Sequence, residues 1–188
     1  MHHDDHSFLL YSDFNCPFCY ALHERLHDLT LIDRCEWRGV QHAPHLPCPM
    51  KPWSGALGAE LRHEVSVVQR LAPGLPILLP PGKPNSRPAI EQAAGLLRGD
   101  RRRGMEFVRE TYRAFWREGR DISDPMVLRM LAGGEFTGHQ QQDNMKTVYA
   151  WESAWHATGQ NGVPVIVSPA GDILVGCVPE ETVRRFFA

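Results

Sequence analysis

A pair of cysteines near the N-terminus constrains this chain more than any other feature. Cys16 and Cys19 enclose a Pro-Phe dipeptide, directly after the apolar run Phe8-Leu9-Leu10-Tyr11 and directly before a helical pattern. The unpaired amides and the dipole of a helix start stabilise a thiolate at such a position. The motif predicts either a redox-active pair or half of a zinc site. A zinc site normally needs a second paired motif, which the sequence lacks, so the redox interpretation is favoured.

The residues around this motif predict a strand, a helix and a second strand. Residues 7–13 are largely apolar or aromatic, and residues 35–40 alternate as a strand does. Between them an apolar stripe recurs at the helical period, at Phe18, Leu22, Leu26 and Leu29. The charged residues of this helix are expected on its other face, namely Glu24, Arg25 and Asp28. Such a unit has parallel strands and a right-handed crossover.

The middle of the chain predicts a block of helices, and its end predicts a β-hairpin. Residues 41–54 contain four prolines and predict an exposed loop. Residues 55–158 show mainly helical periodicity with breaks, and the run Arg101-Arg102-Arg103 predicts a solvated turn between two helices. Residues 163–167 and 173–175 predict two strands joined by a short turn, with a closing helix from residue 180. The sum is an α/β fold with one sheet, helices on both faces and a helical insertion.

Composition and charge limit the classes of function. A formal net charge of -2 gives no electrostatic basis for nucleic-acid binding. No stretch approaches the ~20 apolar residues that span a membrane, and residues 1–6 lack the features of a secretion signal. We therefore expect a cytoplasmic protein. Its five cysteines are an odd number, and in a reducing compartment a CxxC is more typical of catalysis or metal binding than of a structural bridge.

Four segments of the sequence, taken in order, carry a resemblance to a known family. They are Asp13 to Tyr20, Pro84-Asn85-Ser86 with Ala89, Phe115 to Asp124, and Gly162-Val163-Pro164. This pattern resembles the thioredoxin fold, and more narrowly the DsbA-like group with FrnE-type proteins, 2-hydroxychromene-2-carboxylate isomerases and kappa-class glutathione transferases. The resemblance covers nearly the whole chain. It implies a thioredoxin-like four-stranded mixed sheet in residues 1–54 and 159–188, with residues 55–158 as a helical insertion between the second and third strands.

The resemblance also implies how the cysteines and a distant proline act. Cys16 would be the exposed nucleophile with a low pKa, and Cys19 the more buried thiol that resolves a mixed disulfide. The bond between Val163 and Pro164 would be cis and pack against the cysteines. The backbone of Val163 would then bind an extended substrate.

Three residues next to the cysteines have expected roles. Pro17 and Phe18 are predicted to contribute to the substrate-binding surface. Phe18 stands where DsbA proteins typically carry a histidine that helps to stabilise the thiolate. Because phenylalanine has neither a charge nor a hydrogen-bond donor, we expect a less oxidising couple than that of DsbA. Asp13 is expected either to cap a turn or to transfer a proton to Cys19.

The remaining cysteines and their neighbouring histidines are expected to lie outside the reaction. Cys35, His42, His45 and Cys48 are predicted to be ordinary surface residues, because Cys35 lies in a predicted strand and the other three lie in a proline-rich loop. No metal site is predicted. Cys177 follows the last strand and is expected to be a small buried residue, with an auxiliary redox role as the alternative.

Thiol–disulfide exchange through a Cys16–Cys19 redox disulfide is the activity that the sequence favours. No bound cofactor is expected, and a low-molecular-weight thiol is a candidate co-substrate. The expected partners are protein or small-molecule thiols and disulfides, with monomer and homodimer both open. One alternative is a glutathione-dependent transferase or isomerase, although these usually have serine at the position of Cys16 and a Ser-Asp pair where this chain has Cys177 and Val178. A non-enzymatic binding module is the other alternative.

Overall fold

The strand, helix and strand expected at the N-terminus are present in the structure, a computed structural model that describes residues 7–134 and 137–188. Strand β1 (Phe8–Ser12) leads into helix α1 (Pro17–Asp28), and strand β2 (Cys35–Gly39) runs parallel to β1. Leu22 and Leu26 of the apolar stripe are buried, as the periodicity predicts. Residues 1–6, on which the expectation about a secretion signal depends, lie outside the described residues.

The insertion after β2 is helical. It consists of α2 (Gly55–Leu71), α3 (Arg87–Gly99), α4 (Arg101–Trp116), α5 (Pro125–Leu131) and α6 (Gln141–Ala157). The Asp124-Pro125 start is confirmed, since the Asp124 carboxylate accepts a hydrogen bond from the Met126 N–H at 2.8 Å. Within the described ranges, no helix has the length and apolar character that a membrane crossing needs.

The prediction that Arg101-Arg102-Arg103 forms a turn is wrong. These three residues form the first turn of α4, and only Asp100 separates α4 from the end of α3. Asp100 caps α4, because its carboxylate accepts a hydrogen bond from the Arg103 N–H at 3.2 Å. The side chain of Arg101 reaches back to the Cys35 carbonyl oxygen at 2.8 Å, which fixes the start of the helix against β2.

The last elements complete the sheet. Strands β3 (Val165–Val167) and β4 (Ile173–Val175) form the expected antiparallel hairpin, and α7 (Glu180–Phe186) closes the chain. The strand order is β2-β1-β3-β4, with β3 antiparallel to β1. The predicted fold class is confirmed: a thioredoxin-like four-stranded mixed sheet with a helical insertion between the second and third strands. The domain boundaries at residues 54/55 and 158/159 stay a prediction.

Alternate residues of the sheet face two separate cores. On β1, Phe8 and Leu10 belong to a large cluster that includes residues of α1, α3 and α4. Tyr11 faces the opposite side and packs with Val165 and with Trp155 of α6. This alternation follows from the period of two along a strand. The sheet therefore has apolar clusters on both of its faces.

Candidate active site

The CxxC pair lies where β1 ends and α1 begins. Cys16 occupies the position before the first helical turn, with extended backbone angles (φ −103°, ψ 118°), and Pro17 is the first helical residue. Both cysteines are free thiols. Cys16 is 5% exposed and Cys19 is 1% exposed, so the order of burial agrees with the expected roles. The prediction that Cys16 is exposed is nevertheless wrong.

The segment around Val163 accounts for the burial of Cys16. The Cys16 thiol donates to the Val163 carbonyl oxygen, with 3.6 Å between Sγ and oxygen. The peptide bond between Val163 and Pro164 is cis, and β3 begins at the next residue. The Pro164 carbonyl oxygen accepts a hydrogen bond from the Gly176 N–H at 2.9 Å, which ties this segment to the end of β4. A residue 147 positions along the chain thus lies against the first cysteine.

The two thiols have opposite electrostatic environments. Burial raises the pKa of Cys16, but a hydrogen bond from Cys19 and the positive charge of His42 outweigh this, and the pKa is lowered. Burial raises the pKa of Cys19 well above its ordinary value. The hydrogen bond to Cys16 and the negative charge of Cys16 raise this pKa further. Cys16 is therefore the more acidic thiol of the pair and Cys19 the less acidic one. This division is what stepwise exchange requires.

Asp13 connects the cysteine motif to the end of β2. Its backbone carbonyl oxygen accepts from the Cys16 N–H at 3.3 Å, and its own N–H donates to Cys19 Sγ at 3.4 Å. The carboxylate is fully buried, and its Oδ1 lies 3.5 Å from the Asn15 nitrogen, a long contact of the turn-capping type. Its Oδ2 accepts hydrogen bonds from both the backbone N–H and the Nδ1 of His42, at 2.9 and 2.7 Å.

His42 is a site residue that the sequence interpretation missed. It was predicted to be an ordinary surface residue, but its side chain is 23% exposed and bonded to a buried carboxylate. The parallel register explains the contact, because Ser12 pairs with Gly39 and the two strands end side by side. Residues that follow adjacent parallel strands meet at the same sheet edge. That register is the signal that could have brought Asp13 and His42 together.

The other cysteines differ in their surroundings. Cys35 is fully buried in β2, so its assignment to the surface is wrong, and burial raises the pKa of this thiol to about 12. Cys48 and His45 are exposed, as predicted. Cys177 is buried in a small cluster near Phe18 and accepts a hydrogen bond from Arg25 at 3.4 Å. In the part of the chain that the structure describes, no three His, Cys, Asp or Glu side chains come together as a metal site would require.

An ionic cluster around the buried Glu24 side chain links helix α1 to helix α4. Glu24 lies on a charged face of α1, as expected, but it packs against α4 and its side chain is only 6% exposed. Arg109 and Arg113 of α4, and Arg117 directly after its end, each donate to the Glu24 carboxylate at 3.0–3.1 Å. Burial raises the pKa of Glu24, but the hydrogen bonds and charges of the arginines lower it to about 2. This cluster fixes the helix that presents the cysteines.

A four-stranded thioredoxin-like sheet with a CxxC at the start of its first helix defines the class of this protein. Within that class, the chain belongs to the family described as the DSBA-like thioredoxin domain, whose profile matches residues 9–188. No curated protein matches the sequence.

Solved structures share this fold. A probable DsbA oxidoreductase from Streptomyces coelicolor is 18% identical, with a TM-score of 0.74 over 97% of this chain and 88% of that chain. The cytosolic disulfide reductase DsbM from Pseudomonas aeruginosa, solved with glutathione, is 17% identical, with a TM-score of 0.70 over 89% of each chain. A 2-hydroxychromene-2-carboxylate isomerase is 18% identical, with a TM-score of 0.68 over 95% of this chain and 91% of that chain. At these identities the likeness shows the fold alone.

Proposed function

We propose that this protein is a thiol–disulfide oxidoreductase in which Cys16 and Cys19 exchange disulfides through a mixed-disulfide intermediate. The observation that carries this proposal is the asymmetry of the pair. The pKa of Cys16 at the helix start is lowered, whereas that of Cys19, bonded to the Asp13 N–H, is raised. A nucleophile and a resolving thiol need this difference, because only the thiolate attacks.

In the reducing direction the proposed reaction has two steps. The Cys16 thiolate attacks one sulfur of the substrate disulfide, the substrate S–S bond breaks, and its second sulfur leaves as a thiolate that takes a proton from water. Cys19 then loses its proton, attacks Cys16 Sγ and releases the first substrate sulfur, which is protonated in turn. The substrate gains two electrons and two protons, and Cys16 and Cys19 form a disulfide. Two molecules of a low-molecular-weight thiol return this disulfide to the dithiol and are themselves oxidised to a disulfide.

The proposed substrate surface surrounds Cys16. The carbonyl oxygen of Val163 accepts the Cys16 thiol in the free protein, so an extended substrate would compete for this backbone group next to Pro164. Pro17 and Phe18 border the cysteine on the helix side. The partners that suit this surface are protein or small-molecule disulfides and thiols.

We infer that the protein acts as a reductant in the cytoplasm, and two observations support this. Phe18 brings no positive charge to the thiolate, so the couple is less oxidising than it would be with a histidine at this position. The similar protein DsbM is named a cytosolic disulfide reductase and was solved with glutathione, which makes glutathione a suitable candidate for the reducing thiol.

Reduction of insulin disulfides with glutathione as the reductant tests the proposal. Cys16→Ser should abolish the activity, and Cys48→Ser, which changes an exposed thiol outside the pair, should keep it. Cys19→Ser should accumulate a mixed disulfide on Cys16, detectable by mass spectrometry. Full activity of Cys16→Ser would refute the proposal. Conjugation of glutathione to an electrophile by Cys19→Ser would support the transferase alternative instead.

A further inference from the structure

A histidine and a buried carboxylate form an ion pair beside the cysteine motif. The Nδ1 of His42 lies 2.7 Å from Oδ2 of Asp13, and the Asp13 side chain has no exposed surface. The backbone N–H of His42 donates to the same oxygen at 2.9 Å. Two bonds to one oxygen fix the position of the loop that carries the imidazole. A carboxylate buried this deeply is stable as an anion only with such partners.

The same aspartate is bonded to both cysteines through its backbone. Its carbonyl oxygen accepts from the Cys16 N–H, and its N–H donates to Cys19 Sγ. The imidazole of His42 is therefore held at a fixed position relative to the reacting sulfurs by one intervening residue. Phe18, inside the motif, offers no charge, and Arg25, further along α1, donates to Cys177 Sγ and to the Val178 carbonyl oxygen.

We propose that His42, fixed against the Asp13 carboxylate, supplies the positive charge that stabilises the Cys16 thiolate during exchange. This inference rests on the proposed function and names a residue that tunes it. The imidazolium keeps its own proton throughout, and the protons of the exchange pass between the sulfurs and water as described above. His42 thus takes a role that the Pro17-Phe18 dipeptide between the cysteines cannot perform.

The groups that face His42 favour its imidazolium form on balance. Burial lowers the pKa of His42, but the hydrogen bond and charge of Asp13 and the charge of Cys16 raise it above its ordinary value. Lys83 acts in the opposite direction, although Glu64 pairs with its ammonium at 3.3 Å. The attraction is mutual, since His42 lowers the pKa of Cys16 and Cys16 raises that of His42.

His42→Asn tests the role, because asparagine offers an amide donor to Asp13 without a charge. His45→Asn changes an exposed histidine of the same loop and is the matched control. Alkylation of Cys16 by iodoacetamide, resolved by mass spectrometry, is followed against pH in the reduced proteins. We expect the pKa of Cys16 to rise by about one unit in His42→Asn, which is about tenfold less thiolate below that pKa. The more basic thiolate is about threefold more nucleophilic, so the alkylation rate should fall about threefold.

A second measurement avoids any change at His42. The imidazole titration of His42 is followed by NMR in the reduced wild type and in Cys16→Ser. We expect a lower pKa for His42 in the variant, since the thiolate that raises it is gone. Equal Cys16 titrations in His42→Asn and His45→Asn, or an unchanged His42 titration in Cys16→Ser, would overturn the inference. Neither measurement requires turnover, so these results are separate from the insulin assay that tests the function.

Discussion

A buried histidine one turn after Cys19 should make the stability of this protein sensitive to acid. His23 has no exposed surface, and its ring lies 4.8 Å from that of His27 and 5.0 Å from that of Tyr112. Among the described residues, neither ring nitrogen of His23 has a hydrogen-bond partner. Burial, and next the charge of His27, lowers the pKa of His23 to about 3. The folded protein therefore holds this imidazole neutral.

The sign and size of the effect follow from proton linkage. An unfolded chain binds a proton at His23 with a pKa near 6.5, whereas the folded chain does not until about pH 3. Well above pH 6.5, His23 is neutral in both states and does not lower the free energy of unfolding. As the pH falls from 6.5 towards 3, only the unfolded chain is protonated at His23, so the free energy of unfolding decreases. Between pH 7 and pH 5 the loss from this one group is about 2 kcal/mol of unfolding free energy. His42, with a raised pKa, acts in the opposite direction, but its contribution is common to wild type and variant.

Chemical denaturation of the wild type and of His23→Leu at both pH values checks this value. We expect the wild type to lose about 2 kcal/mol more than the variant on acidification. His63→Leu, at an exposed position of α2, should follow the wild type. At pH 7 the variant should be at least as stable as the wild type, because leucine removes a buried polar group without a partner. An equal loss in wild type and His23→Leu would show that His23 is not held neutral by the fold.

Three further predictions concern the ion cluster, the other thiols and a helix cap. Glu24→Gln should lower the free energy of unfolding by about 1–3 kcal/mol, because three partly exposed arginines lose their buried counter-ion. Chemical denaturation measures this loss, and a value within error of zero would contradict the prediction. A maleimide should label Cys48 in the native protein and Cys35 only after unfolding, since Cys35 is fully buried with a pKa of about 12; native labelling of Cys35, seen by peptide mapping, would refute its burial. Asp100→Ala should cost about 1 kcal/mol through the lost cap of α4; thermal unfolding measures it, and an unchanged midpoint would mean that α4 starts without this cap.

The order of elements could be predicted from the sequence because the hydrophobic period changes along it. The stripe from Phe18 to Leu29 and the alternation from Cys35 onward gave the parallel unit, and the β-branched run near Val165 gave the hairpin. The start of α4 was placed wrongly for a local reason. Only Asp100 lies between α3 and α4. A connection of one residue is too short to show the composition that is typical of a loop.

The site was predictable only in part. The CxxC lies within one turn of helix, so local spacing indicates it, and the partnership with Val163 came from family resemblance. The pair of Asp13 and His42 depends on the register of two strands, which the periodicity of either strand does not specify. Glu24 was placed on the correct face, but its burial depends on Arg109, Arg113 and Arg117. Their spacing of four residues places them on one side of α4 and its C-terminal cap, and this spacing is informative only once the two helices are known to pack together.

Cys16 and Val163 are far apart in the sequence, so the ribosome synthesises the two parts of this site at different times. The two residues are 147 positions apart, and synthesis at about 5 to 20 residues per second needs roughly 7 to 30 s to pass from one to the other. During that interval the nascent chain has made the cysteines but not the carbonyl oxygen that accepts the Cys16 thiol. The emerging Cys16 thiol therefore lacks this acceptor until translation has passed Val163, and the proposed substrate surface can form only after that point.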